Sequence, residues 1–595
     1  MDESLELPPR VPFWRRRPVR LLRNILLTIL ATALLFFAIH QGFLRLVAWI
    51  FPAYESFFYN LGVFGIYRTA SYVTLDARVP LGNIERWDDS CRGGLVLLAP
   101  FGADVGQSSP MILDARGELV WVGQSNHTTA TNVNVQQYDG KPYLTYWAGD
   151  KNGGAGSGEA FMLDSSYRVV KRLKGEGPEL RTDLHEFVVT DDGHALLSTI
   201  NSTTGDMSNA GWGHSKNDYI YDSVFQEIDI ATGDLLFQWR ASEHFNPADA
   251  FMVRMWSGYT SLSPYDFFHL NSIQRDSKGN YLISARHMHQ IVYIDGQSGD
   301  VIWKLGGHPE SNDFVDLSDG EATNFAWQHH ARWLSEEEGL ISVMANGLGG
   351  FFQQYAPYSR ALIIKIDQGN RTAELIHEYT SLDKVLSPSQ GSVQILPNDN
   401  VFVGWGPMAA WSEFKHSGEL LCEYHFAASA FFWTQRVKNY RAFKVYNWTA
   451  EPDYPPVAKT KGGKVYVSWN GATEVRSWKL QLLHGADENG QEMYEHLETI
   501  EKRSFESVFE KPKGRAGSRY RVVALNEQEE EIGASEPATE VEGAGLSWIV
   551  VVLLFVLLSG TGLWLFRRYR TRRRQENGYG SWELGTWKSY RYSRL

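Results

Sequence analysis

YDFFHLNSIQRDSKGNYLISARHMHQIVYIDGQSGDVIWKLGG, residues Tyr265–Gly307, decides how the rest of this chain is read. Four segments in it, Asn271–Arg275, Tyr281–Arg286, Gln290–Ile294 and Val301–Leu305, mix apolar, β-branched and polar residues over a strand's length. Ser277-Lys-Gly-Asn280 and Asp295-Gly-Gln-Ser-Gly299 separate them with the Gly- and Asp-rich punctuation of tight turns. Four antiparallel strands in about 40 residues have the size of one β-propeller blade. His269, Asn271 and Arg286 stand at the outer ends of the first two strands. A sheet that needed only a core has no use for a His and an Arg together there.

The pattern recurs on both sides of this stretch. An Asp-x-x-Gly turn followed by an apolar strand ending in an aromatic appears as Leu113–Trp121, Ile228–Trp239 and Ile294–Trp303. Weaker copies are Leu163–Val170, Ile366–Ala373 and His416–Tyr424. Between them lies a second hairpin, with turns at Asp139-Gly140, Asp192-Gly193, Lys278-Gly279, Glu338-Gly339 and Asn398–Asn400. These copies read as an all-β chain with a six-bladed β-propeller over 91–442. Ring closure would bring Cys91 and Cys422, the only two cysteines, together as a disulfide. Phe443–Pro452 reads as a linker. Residues 455–542 read as a fibronectin-III/Ig-like β-sandwich, with Trp469 on an early strand and Tyr520 on a late one.

Charge distribution places the ends. The chain of 595 residues has a formal net charge of −12, yet both termini are basic. An acidic body argues against nucleic acid as a partner. Residues 21–41 and 546–566 are apolar over a bilayer span and flanked by arginines on their outer sides. They predict two transmembrane helices, an uncleaved signal anchor and a second span, with tails 1–20 and 567–595 cytoplasmic. The middle, including an approach segment at 42–90, is then lumenal or extracellular. Asn126, Asn201, Asn370 and Asn447 head glycosylation triplets on that side, and the cysteines would lie in an oxidising space.

Counting back from the second-hairpin turns puts Asn132, His185, His269, His329 and Gln390 at even relative offsets, hence on the same strand face in successive blades. With Arg286 one strand over from His269, they would ring one mouth of the central channel. Imidazoles serve as nucleophile, acid or base, and Arg and Asn offer donors to a sulfate- or phosphate-shaped anion. No carboxylate pair suits glycoside hydrolysis. Two alternatives stay open: a His₃ metal site acting as a metal-dependent enzyme, and a non-catalytic propeller binding or scaffold glycoprotein.

The stretches Trp87–Cys91, Gly106–Asp114, Leu184–Phe187, Phe268–Ile273, Ser284–His287 and Trp327–Arg332 resemble the arylsulfotransferase family, in particular its fungal membrane-associated branch. The similarity runs from about Trp87 to Asn447. It implies a six-bladed propeller that moves a sulfuryl group from an aryl sulfate to a phenol, with no nucleotide sulfate donor; no cofactor is expected, and Arg286 weighs against a metal at the histidines. By position it implies His329 as nucleophile, carrying sulfate as sulfohistidine. His269 and Asn271 would bind sulfate and assist proton transfer, with His185 and Arg286 completing the anion site. His330 departs from the family pattern beside the nucleophile.

Overall fold

The structure is a computed structural model that describes residues 22–32, 44, 45, 47, 50–106, 108–124, 129–210, 214–349, 353–486, 488–490, 492–511 and 518–541. The expected span at 546–566, both tails and Asn126 lie outside them. Of the expected span at 21–41, residues 22–32 are described; they are helical, with Leu22, Ile25, Leu26, Leu27, Ile29 and Leu30 exposed. No described helix is long and apolar enough to cross a membrane.

Strands dominate the described residues. The quoted stretch forms one sheet of Leu270–Arg275, Tyr281–Ala285, Gln290–Ile294 and Val301–Gly306 in sequence order, each strand antiparallel to the next. Numbered along the ring, this is sheet 4. Sheet 2 holds Thr129–Tyr138, Lys141–Asn152, Ala155–Leu163 and Val169–Leu173; sheet 3 starts at Arg181–Val189 and ends at Leu235–Arg240. Sheet 5 runs from His329–Ser335 to Thr372–Tyr379, and sheet 6 from Ser392–Ile395 to Leu420–His425. Sheet 1 takes Leu95–Leu98, Met111–Asp114 and Leu119–Val122 from the start of the ring and its innermost strand, Phe443–Val445, from the end. The innermost strands neighbour one another in a closed cycle, sheet 1 through sheet 6 and back. The result is a propeller-like ring of six sheets.

Two strands correct the sequence reading. Phe443–Val445, read as the start of a linker, closes sheet 1 by pairing with Leu95–Leu97. Asn83–Arg86, inside the expected approach segment, adds a fifth strand to the outer edge of sheet 6. Both remove exposed edges that would otherwise pair with other chains. The Cys91–Cys422 disulfide fastens the same seam across a sequence separation of 331.

The core lies between the sheets. Trp303, Trp333, Ile341 and Ile364 fill the gap between sheets 4 and 5, and Phe225, Trp239, Tyr281 and Ile283 that between sheets 3 and 4. Nearer the axis, glutamine amides join neighbouring innermost strands. Gln136 accepts from Val189 N–H at 2.8 Å, Gln274 from Trp333 N–H at 2.7 Å, and Gln394 both accepts from and donates to the Lys444 backbone at 2.9 Å. Each satisfies backbone groups that diverging sheets cannot pair directly.

Beyond the ring, two four-stranded sheets face each other. One orders Ser507–Glu510, Lys464–Ser468, Val457–Lys461 and Thr539–Glu540; the other orders Glu492–Glu501, Ser477–Ala486, Tyr520–Leu525 and Glu531–Ala534. Val465, Trp469, Trp478, Phe509 and Tyr520 lie between them. Asn470 docks this unit on sheet 1, exchanging two 2.9 Å hydrogen bonds with the Val122 backbone.

Candidate active site at one end of the ring

Each innermost strand is antiparallel to the second strand of its sheet, so the six run the same way. Their first residues gather at one end and their turns at the other. Asn132, His269 and Gln390 occupy that first end with left-handed backbones, φ 54°, 56° and 65°. In sheet 5 the left-handed residues are Trp327 and His330, at 58° and 56°, on either side of His329. A non-glycine residue held there costs of order 1 kcal/mol or more, and such strain concentrates at functional sites. The strand ladders also break register here, between Thr131 and Asn134, Thr182 and Phe187, Leu270 and Ser272, and His329 and Arg332. Bulges of this kind re-aim side chains.

The breaks turn the imidazoles toward one another. His185 and His269 meet edge to face with ring centroids 4.6 Å apart, and His269 stacks on His287 at 4.5 Å. Tyr440 touches both flanks of the group, 5.7 Å from His185 and 6.5 Å from His329. His185 Nδ1 is bonded to Asp183 and His269 Nδ1 to Asp266, while the Nε2 atom of each has no hydrogen-bond partner among the described residues. His329 is held at both nitrogens: Nδ1 donates to Asn346 Oδ1 at 2.7 Å, and Nε2 accepts from the Gln390 N–H at 3.1 Å.

Arg286 is the fixed cation of this group. Its guanidinium lies 4.9 Å over the Trp327 ring, with Nη2 donating to Pro388 O at 2.9 Å and Nη1 to His287 Nε2 at 2.6 Å. Both acceptors are neutral, and Nε is buried without a partner. Burial lowers its pKa to about 10. Burial first, then the charge of Arg286 and the other imidazoles, drives His329 well below the usual histidine range, and burial with His185, Arg286 and Lys151 does the same to His269. Near neutral pH these rings are free bases. Lys151, 5.2 Å over the Phe101 ring, is lowered by burial and by Lys438 to about 8.

Asn271 is fully buried, and its Nδ2 donates to Gln328 O at 2.7 Å, tying sheet 4 to sheet 5, while its Oδ1 is buried with no partner. His185, His269, His329 and Arg286 do come together. Their near neighbours Asp183, Asp266, His287, Asn346 and Tyr440 were not assigned from the sequence. Asp183 stands two residues before its histidine, a spacing that a period of two puts on one face; Asn346 and Tyr440 carry no local signal. Of the remaining acceptor asparagines, Asn370 and Asn447 are exposed and Asn201 is half-buried.

A metal reading shifts from three histidines to Asp266, His269 and His287, whose ligand atoms lie within 4.8 Å of one another. That set fits an ion poorly. His287 already donates from Nδ1 to the Asp266 carbonyl at 2.5 Å and accepts at Nε2 from Arg286, which spends both nitrogens and places a cation beside the site.

The two ends differ in space. Beside His185 and His269 the cavity is about 10 Å³, roofed by the hairpin at Gly154, where an added Cβ would come within 3.1 Å of His269 Cε1. That volume, with the roof as it stands, holds nothing larger than a water molecule. A buried ion-pair triad crosses the axis: Glu186 binds Arg332 Nη2 and, at 2.7 Å, Arg441 Nη1. A larger cavity of about 420 Å³, which His330 lines, lies beyond Glu186 toward the turns.

Residues 134–427 match the family described as Arylsulfotransferase (ASST). Comparison with curated proteins gives no match. Similar solved structures include a Bacteroides caccae protein of unknown function, at 11% identity over 59% of this chain and 99% of that one, TM-score 0.34. A streptogramin B lyase is similar at 11% identity over 66% and 93%, TM-score 0.26, and the Dos1 propeller at 9% over 56% and 77%, TM-score 0.26.

Proposed function

We propose that the arylsulfotransferase-family domain at 134–427 is the centre of a six-bladed propeller enzyme that transfers a sulfuryl group from an aryl sulfate to a phenol through a sulfohistidine. The observation that carries this reading is a set of imidazoles, His185, His269 and His329, the last two held well below the usual histidine range, gathered beside a guanidinium whose hydrogen-bond partners are both uncharged. A neutral imidazole has the lone pair that attack on sulfur needs, and the guanidinium, which makes no hydrogen bond to a carboxylate among the described residues, offers charge to the sulfuryl oxygens.

His329 is the proposed nucleophile. Its Nδ1 donates to Asn346, which leaves the lone pair on Nε2; the Gln390 N–H that occupies Nε2 is displaced when sulfate arrives. Attack forms an N–S bond and breaks the S–O bond to the aryl group, whose oxygen departs with the bonding pair. In the second half the acceptor phenol gives its proton to His269 Nε2, backed by Asp266, and its oxygen attacks sulfur as the N–S bond breaks. A second reading places the nucleophile at His269 or His185, because their Nε2 atoms are unengaged.

The resemblance to the fungal membrane-associated branch, the exposed acceptors Asn370 and Asn447 and the disulfide support a two-pass protein with the ring and sandwich lumenal or extracellular. Purified full-length protein given p-nitrophenyl sulfate and phenol should release nitrophenol, and His329→Ala should abolish release. No turnover over a broad donor panel, with an intact fold, would favour a binding scaffold.

A further inference from the structure

The cavity beyond Glu186 has its own chemistry. Every innermost strand contributes to its wall: Asn134 and Gln136 from sheet 2, Val188 from sheet 3, Gln274 from sheet 4, His330 and Trp333 from sheet 5, Ile395 from sheet 6 and Phe443 from sheet 1. At about 420 Å³ it falls in the range of small-molecule sites, whereas the space at His185 and His269 does not. Apolar and aromatic surface from Phe187, Trp333, Leu334 and Phe443 faces it, with the cationic groups at its inner end.

Charge there is out of balance. Arg332 and Arg441 share the single carboxylate of Glu186, so one positive charge remains uncompensated in a buried position. Arg441 keeps its Nε buried with no partner, although Nη1 and Nη2 are used by Glu186 and the Asn271 carbonyl. His330 accepts from the Val393 N–H at Nδ1, and its Nε2 makes no hydrogen bond among the described residues. Burial, then Arg332 and Arg441, keeps this ring uncharged near neutral pH. A lone buried charge is stable when an anion completes it.

We propose that this cavity is a second ligand site, separate from the His185–His269–His329 group, that binds a small aromatic anion. The anionic group lies against Arg441 and Arg332 beside His330, and the ring lies against Trp333 and Phe187. The site needs no turnover and stands whether or not the protein transfers sulfate.

The probe is 4-bromobenzenesulfonate, whose carbon–sulfur bond cannot serve as a sulfuryl donor and whose bromine scatters anomalously. Crystals of the full chain soaked in it should show a bromine peak near Trp333. In solution, calorimetric affinity should fall about tenfold or more in His330→Glu, which puts a carboxylate against both guanidiniums. It should hold in Arg286→Ala, which touches only the other group. Asn134→Asp, which keeps side-chain volume and puts a carboxylate on the half-buried cavity wall, gives a second variant should His330→Glu fail to fold; it should also weaken binding. Bromine found only beside His269, affinity lost in Arg286→Ala but kept in the cavity variants, or no measurable binding would each overturn the proposal.

Discussion

Replacing Glu186 by Gln perturbs the ring at its axis without changing side-chain volume. Glu186 is 1% exposed and belongs to sheet 3, while Arg332 comes from sheet 5 and Arg441 from the segment before the closing strand. Its carboxylate takes both guanidiniums, and the ring's closure is what brings 186, 332 and 441 together. Breaking a buried pair by removing one partner leaves uncompensated charge and costs about 3–5 kcal/mol; here two cations lose the same partner. For a domain of this size that corresponds to a fall of roughly 5–10 °C in Tm, read by tryptophan fluorescence of the purified full chain. Arg332→Met added to Glu186→Gln should recover part of the loss, since one of the two stranded charges is then gone. 4-Bromobenzenesulfonate should also raise the Tm of Glu186→Gln more than that of the wild type. A Tm within about 1 °C of wild type would refute the buried triad, and with it the closure that places these residues on one axis.

Three further expectations follow from the same geometry. Burial, joined by nearby cations, holds His269, His287, His329 and His330 well below 6.5 and His289 at about 3; below pH 6.5 the unfolded chain therefore binds more protons than the folded one. Stability should fall as pH drops from about 6.5 to 5, by up to about 1.4 kcal/mol per pH unit for each such histidine, and a flat Tm over that window would contradict their burial. Cys91→Ser with Cys422→Ser should lower Tm, because the unfolded chain then regains the freedom of a loop with a sequence separation of 331, a loss of stability of about 2–5 kcal/mol; peptide mapping that finds both thiols free in the wild type would remove the disulfide. Gly154→Ala should cut kcat/KM by about tenfold or more by pressing on His269 while leaving Tm unchanged, and full activity would show that the roof does not set the ring's position.

The hairpins of the ring were legible because local chemistry writes them. Asp295–Gly299 and Ser277–Asn280 are turns wherever they occur, and alternation in Tyr281–Ala285 needs no distant partner. Phe443–Val445 and Asn83–Arg86 were missed because three- and four-residue strands carry no period of their own. Each is a strand only because a partner more than 300 residues away supplies its hydrogen bonds. The candidate site was legible in part for a related reason. Even offsets assume an unbroken strand, and that held well enough to bring His185, His269 and His329 to one end. The register breaks then changed which atoms face inward, leaving Asn271 tied to Gln328 and His330 on the wall of a cavity that His329 does not line. The aspartate behind His185 was readable in the Asp183-x-His185 spacing; Asp266, three residues before a histidine with a left-handed backbone, was not, nor were Tyr440 and Asn346, which only the closed ring puts there.

The most direct test of the sulfuryl-transfer chemistry is to mix the protein with p-nitrophenyl sulfate without acceptor, quench under alkaline conditions and map the peptides by mass. The expected result is one sulfuryl group on His329, lost on adding phenol; the same label on His269 or His185 would move the nucleophile to a neighbouring imidazole of the same group. Nitrophenol released with no label on any of the three would contradict the proposed chemistry.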